Sequence, residues 1–212
     1  MQLSITTTHK PATDLSYLLH KNPDKVQTFD ITGGKAYVFY PEATDEKCTA
    51  TMILNIDTLE MIKNQKKSIS DFALKGYVND RPFVASSFMS SAISSVYSSA
   101  LNGNSKEKSE VVNKKIPLEV FISVINVSGG EKLIKRFFEP LGYEIKIEKY
   151  ELNENFKSWG ESNYFSLTLK NIITLKELLT HLYILIPVFD NEKHYWVSTK
   201  DVDILFKKGE GW

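Results

Sequence analysis

The 212-residue sequence predicts an α+β fold, a two-layer α/β sandwich built as two similar lobes from a degenerate β-α-β-β-α duplication. Three observations carry this prediction. Short runs rich in β-branched residues alternate with segments of helical periodicity. Neighbouring strand-like runs are joined by hairpin-type turns, of which Gly33-Gly34 is the clearest. The order of elements also recurs: Asn55-Ile56, Thr58-Leu59 and Ile62 face Asn171-Ile172, Thr174-Leu175 and Leu178 at a constant offset, 171 minus 55 being 116. The lobes are about 1–101 and 116–212, separated by a loop at 102–115, and pack as a single domain over 1–212.

Gln2 to Thr7 alternates apolar and polar residues and reads as a strand. A helix follows, with Thr13 or Asp14 as N-cap and Leu15, Leu18 and Leu19 on its buried face. Val26 to Ile31, Ala36 to Tyr40 and Thr49 to Ile56 read as strands, after which Asp57 caps a helix with Glu60 at its third position. From Val84 to Leu101 apolar pairs and serine pairs repeat every four residues, which predicts one amphipathic helix. Its serine face is either a solvated surface or a thin one that lets another backbone approach. Asn102 to Lys115 is polar, with Gly103 near the helix end, and reads as a loop.

The second lobe opens with a strand from Leu118 to Ile125 and a helix from Ser128. Strands at Glu144 to Tyr150 and Tyr164 to Leu169 lead to a helix capped by Thr174 with Glu177. Beyond Pro187 the chain turns at Asp190-Asn191, crosses His194 to Val197 as a strand, and ends in a helix from Ser198 or Thr199.

Composition limits the function. Lys+Arg number 26 and Asp+Glu 26, so the chain lacks the cationic surplus of a domain whose main task is to grip phosphates. A single cysteine, Cys48, excludes an internal disulfide and reads as a small buried hydrophobe of a reducing, cytoplasmic compartment. No run approaches the roughly 18 apolar residues of a membrane span.

Candidate chemistry is sparse. Val127-Ser128-Gly129-Gly130-Glu131 follows a strand, as a cofactor-binding turn would, but it has no G-x-G-x-x-G spacing and no acidic residue ending the strand. Ser128 with Glu131 instead reads as a capping box. His9, His20, His181 and His194 show no metal-ligand spacing, and His20 and His181 read as helix-end residues. No catalytic residue and no metal ligand is therefore assigned. Two clusters remain as candidate partner-binding sites. Tyr77, Asn79, Asp80 and Arg81 form a turn before Pro82, and Lys193, His194, Tyr195 and Trp196 join a loop to a strand. Lys132, Lys135 and Arg136 on one helix offer a smaller basic group.

Several longer words add a resemblance. Thr6 to Leu15, Tyr17-Leu18-Leu19-His20-Lys21 and Phe39-Tyr40-Pro41-Glu42-Ala43 resemble the opening of bacterial HEN-family RNA 3′-terminal ribose 2′-O-methyltransferases. Tyr77 to Phe88, Phe137 to Tyr143, Leu178 to Tyr183, Lys193 to Val197 and Lys208 to Trp212 match the same region in order. The resemblance implies a non-catalytic N-terminal domain that binds and activates an RNA ligase by promoting its adenylylation. The ligase is a separate subunit or part of a polynucleotide kinase-phosphatase. The assembly it implies is a heterotrimer or larger complex for RNA repair in the cytoplasm, reaching RNA indirectly and involving no membrane. The 2′-O-methylation domain, with S-adenosylmethionine and a divalent metal, lies C-terminal to this domain in the family, so this domain is expected to hold no cofactor. The alternative is a stand-alone RNA-binding module that presents RNA ends to the repair enzymes.

Overall fold

The computed structural model describes residues 1–57, 83–105, 108–153, 155–156, 158 and 160–189. Seven antiparallel strands form one sheet: β1 Gln2–Thr7, β2 Gln27–Ile31, β3 Gly34–Ala43, β4 Cys48–Ile56, β5 Ile116–Asn126, β6 Glu144–Glu151 and β7 Glu161–Ile173. The helices are α1 Asp14–Leu19, α2 Phe83–Val96, α3 Ser98–Leu101, α4 Ser109–Val112, α5 Gly130–Phe138 and α6 Leu175–Val188. The strand order is β2-β3-β4-β1-β5-β7-β6. The fold is α+β, a two-layer sandwich.

Alternation along each strand decides which face is buried. Leu3 and Ile5 of β1, Ala50 and Met52 of β4, Val120 and Ile122 of β5, and Leu167 and Leu169 of β7 are fully buried under the helices. Leu15 and Leu19 of α1, Ile93 of α2 and Leu178, Leu179 and Leu182 of α6 meet them. Cys48 belongs to this layer, and its burial, with a smaller contribution from Glu42, pushes the thiol up to about 11. At the β2–β3 hairpin, a Cβ on Gly34 would stand 2.1 Å from the Asn55 carbonyl oxygen, so only glycine lets β3 and β4 close there.

Read outward from the central β1–β5 pair, both halves place the last strand of the unit next and the penultimate one beyond it. The residue correspondence at offset 116 does not follow this order. Asn55 lies on the face away from the helices, beside buried Leu54, whereas Asn171 shares the helix-side face with Leu169 and donates to the Leu141 carbonyl at 3.0 Å. A one-residue slip in a strand reverses every side chain, so that sequence match joins positions that are not equivalent in the sheet.

Three further expectations are corrected. The segment from Val84 to Leu101 is interrupted at Tyr97, which has φ −106° and ψ 25° and separates α2 from α3. The stretch 102–115 contains the single turn α4, held by Val111 in the core and by an ion pair from Lys108 to the buried Asp14 at 3.1 Å. The helix after β5 begins at Gly130 with Gly129 as its N-cap and no side-chain cap, so Ser128 and Glu131 form no capping box. There the backbone supplies the partners: the Ser128 N–H donates to the Phe189 carbonyl at 3.2 Å and the Gly130 N–H to that of Val127 at 3.0 Å.

The capping box predicted at Thr174 is present. The Thr174 hydroxyl accepts from the Glu177 N–H at 3.1 Å while the Glu177 carboxylate accepts from the Thr174 N–H at 2.9 Å. Asp57 ends the first described stretch, and the helix expected after it lies outside the described residues, as do the elements expected beyond Phe189.

Candidate partner-binding surface

The residues singled out from the sequence, Tyr77, Asn79, Asp80 and Arg81 in one cluster and Lys193, His194, Tyr195 and Trp196 in the other, lie outside the described residues. The site that can be built from the described residues is the sheet face opposite the helices. Cross-strand pairing fixes its rows. Phe39, Thr51, Ser4, Phe121 and Thr168 stand side by side across β3, β4, β1, β5 and β7. Tyr37, Ile53 and Gln2 form the next row on one side, and Thr49, Thr6, Glu119, Lys170 and Glu144 the next on the other.

Small hydroxyl residues floor the middle of this face. Ser4 Oγ and Thr51 Oγ1 are 2.9 Å apart, and Thr6 Oγ1 and Thr49 Oγ1 are 3.0 Å apart. Ser4 and Thr51 are 8% and 2% exposed, sunk between the larger side chains of Phe39 and Phe121. Farther along, the Tyr150 hydroxyl lies 2.6 Å from Ser166 Oγ, which bonds the Ser123 carbonyl. The signal for these positions was present in the sequence: Ser4 and Thr6, like Thr49 and Thr51, recur at period two. Hydroxyls at that spacing match no catalytic or metal-ligand pattern, so the sequence alone does not mark them as a site.

At the end of β1 and β7 the face leads into an open depression of about 580 Å³, lined among others by Thr6, Thr8, Glu119, Gly142, Lys170 and Ile172. Lys170 is paired there with Glu119 at 3.1 Å, which raises the lysine pKa, and no cation is left over from that pair for an anionic ligand.

His20 and His181 have structural partners, whereas the buried Tyr40 and Tyr97 hydroxyls and Asn126 Oδ1 have no hydrogen-bond partner. His20 caps the end of α1 in the left-handed conformation, φ 53°, with its Nε2 2.7 Å from the Asn104 carbonyl. His181 is not at a helix end: it is buried within α6, its Nδ1 2.8 Å from the Tyr143 hydroxyl. Burial lowers the imidazole pKa against the opposing effect of Glu177, and burial also raises that of the Tyr143 phenol. A Cβ on Gly129 would stand 2.7 Å from Leu133, so this glycine is required by packing. Among the described residues no group of three or more His, Cys, Asp or Glu side chains could hold a metal ion. No helix among them is long and apolar enough to cross a membrane.

A two-layer sandwich of this kind is an architecture that hosts many unrelated functions, and among the described residues no metal-binding cluster distinguishes it. The chain belongs to the family described as the RNA repair, ligase-Pnkp-associating region of Hen1, which matches residues 1–212. Two solved structures share the fold. One, "Structure of the Pnkp1/Rnl/Hen1 RNA repair complex", aligns at a TM-score of 0.56 with 13% identity, over 98% of this chain and 46% of that one. The other, "Structure of Pnkp1/Rnl/Hen1 complex", aligns at 0.55 with 12% identity, over 97% and 47%. This chain thus spans less than half the length of the chains it matches. No curated protein matches it.

Proposed function

We propose that this chain is a non-catalytic domain that binds an RNA ligase in a kinase-phosphatase, ligase and methyltransferase repair assembly of the cytoplasm and promotes the ligase's adenylylation. The observation that carries the reading is the match of the whole chain to a ligase- and Pnkp-associating region. The structure supports it in that, among the described residues, the helices pack on one face of the sheet and no three His, Cys, Asp or Glu side chains converge.

An activator that performs no chemistry works by binding the active conformation of its partner better than the resting one, since equal affinity shifts nothing. A difference of about 2.7 kcal/mol moves the population roughly a hundredfold. The favoured conformation is the one in which the ligase lysine attacks ATP. Methylation of the terminal ribose, with S-adenosylmethionine and a divalent metal, is assigned to a further domain of the longer protein. The Lys132, Lys135 and Arg136 group gives the RNA-binding alternative little support: all three side chains are exposed on α5, but Glu131 and Glu139 stand beside them and offset most of their charge.

Gel filtration of the chain with an RNA ligase tests the association. A shared peak at micromolar concentration is expected; separate elution of two folded proteins contradicts the proposal.

A further inference from the structure

We infer that the outer edge of β6 pairs with the same edge of a second copy of this chain, extending the sheet across a two-fold axis at Ile147. The internal symmetry of the sheet shows what this edge lacks, and the charge order along β6 selects the occupant.

The sheet registers relate the two halves at an offset of 117, one residue from the offset read off the sequence. The β1–β4 pairs Gln2↔Ile53, Leu3↔Met52 and Ile5↔Ala50 correspond to Glu119↔Lys170, Val120↔Leu169 and Ile122↔Leu167 of β5 and β7, 119 minus 2 being 117. Buried residues then match buried residues along these strands. The β3–β4 pairs Tyr37↔Ile53, Val38↔Met52 and Phe39↔Thr51 correspond in turn to Glu144↔Lys170, Ile145↔Leu169 and Lys146↔Thr168. β6 therefore stands where β3 stands in the first half.

The halves differ beyond that strand. β3 carries β2 on its outer edge, and Val38 is fully buried there. Only Glu139 to Tyr143 join α5 to β6, too short a link to hold a further strand with its turns. Among the described residues β6 is the last strand of the sheet, and Ile145, the counterpart of Val38, is only half-buried, as is Ile147. The Lys146 and Glu148 side chains are 73% and 58% exposed. An edge strand turns a row of N–H and C=O groups outward, and in the first half an antiparallel strand meets that row.

Charge identifies the strand that can do so here. β6 reads Glu144-Ile145-Lys146-Ile147-Glu148-Lys149-Tyr150. Lysines on an edge discourage indiscriminate pairing, but this order is complementary to its own reverse. Antiparallel pairing about Ile147 sets Lys146 opposite Glu148 of the second copy, and Glu148 opposite its Lys146, with the two Ile147 side chains together on the other face. Pairing about Lys146 or Glu148 would set like charges face to face. One added ladder buries less than the ~800 Å² per partner of a standard interface, so the association is weak and concentration-dependent.

Analytical ultracentrifugation of the full chain, from micromolar to millimolar concentration, tests the pairing. A reversible monomer–dimer equilibrium is expected. K146E and E148K each set like charges opposite one another and should weaken the dimer roughly tenfold or more. Both positions are exposed, so thermal unfolding of the variants should match the parent. An equimolar mixture of the two variants regains complementary pairs and should dimerise as tightly as the parent, a result that ion pairs within one strand cannot produce. A parent chain that stays monomeric throughout, or a mixture that associates no more tightly than either variant alone, overturns the inference. So does a monomeric chain whose β6 amides gain protection from hydrogen exchange only in complex with the ligase, because the edge then has a different occupant.

Discussion

Ser90 Oγ on α2 donates to the carbonyl oxygen of Tyr183 on α6 at 2.7 Å, and this bond explains how a proline is carried inside a helix. Pro187 has no N–H to offer the carbonyl four residues earlier, which is that of Tyr183. A serine from the neighbouring helix supplies a donor in its place. Ser86 and Ser90, one turn apart, are both buried, so this stripe of the serine face is the thin surface that lets α6 approach. Ser90→Ala should lower stability by about 1 kcal/mol in urea unfolding. In a Pro187→Ala background, where the helix regains its own donor, the same substitution should cost measurably less; equal losses in the two backgrounds would exclude the compensation.

The buried His181 gives the fold a pH dependence. Its pKa in the folded chain lies below the ordinary 6.5, so the unfolded chain takes up the proton first as pH falls. The stability contributed by neutral His181 is present in full above pH 6.5 and is lost as pH falls from there through the folded-state value. Thermal unfolding between pH 8 and pH 5 should show this decline, and His181→Phe should flatten it. A slope that His181→Phe leaves untouched would assign the effect to other groups.

The glycine turn after β5 should not bind S-adenosylmethionine. Gly129 is committed to packing on Leu133, and the Ser128 and Gly130 amides donate to the carbonyls of Phe189 and Val127. Calorimetric titration of residues 1–212 with the cofactor is expected to show no binding. Saturable heat at micromolar concentration would contradict this.

Much of the fold was legible in the sequence because it rests on local rules. Strand alternation located β1, β4, β5 and β7, and the Thr174/Glu177 spacing identified the start of α6. What escaped depended on neighbours distant in sequence. The break at Tyr97 interrupts an apolar period that continues unbroken through it, and the amide partner of Ser128 is Phe189, far along the chain. The duplication offset failed for a related reason: matching letters cannot reveal which face of a strand each occupies, and Asn55 and Asn171 occupy opposite ones. Of the candidate site, the period-two hydroxyls were visible in the sequence, but their position between Phe39 and Phe121 required the cross-strand register.

Arg81 and Lys193, chosen on residue type and turn context, remain proposed contacts to the ligase. Truncating a side chain that fills a partner pocket commonly costs roughly 2 kcal/mol or more, and truncating a solvated one costs little. Arg81→Ala and Lys193→Ala should each slow ligase adenylylation and leave thermal unfolding nearly unchanged. Full activation by both folded variants would remove these loops from the contact.

The central claim, that the chain activates a ligase without doing chemistry itself, is tested most directly by the single-turnover rate of ligase–AMP formation from labelled ATP, with and without saturating chain. A preference of about 1.4 kcal/mol for the active ligase conformation is enough for a tenfold effect when that conformation is the minor one. The rate is expected to rise roughly tenfold or more, with the label on the ligase alone. An unchanged rate in a complex shown to have formed would contradict activation, and label on this chain would contradict its non-catalytic role.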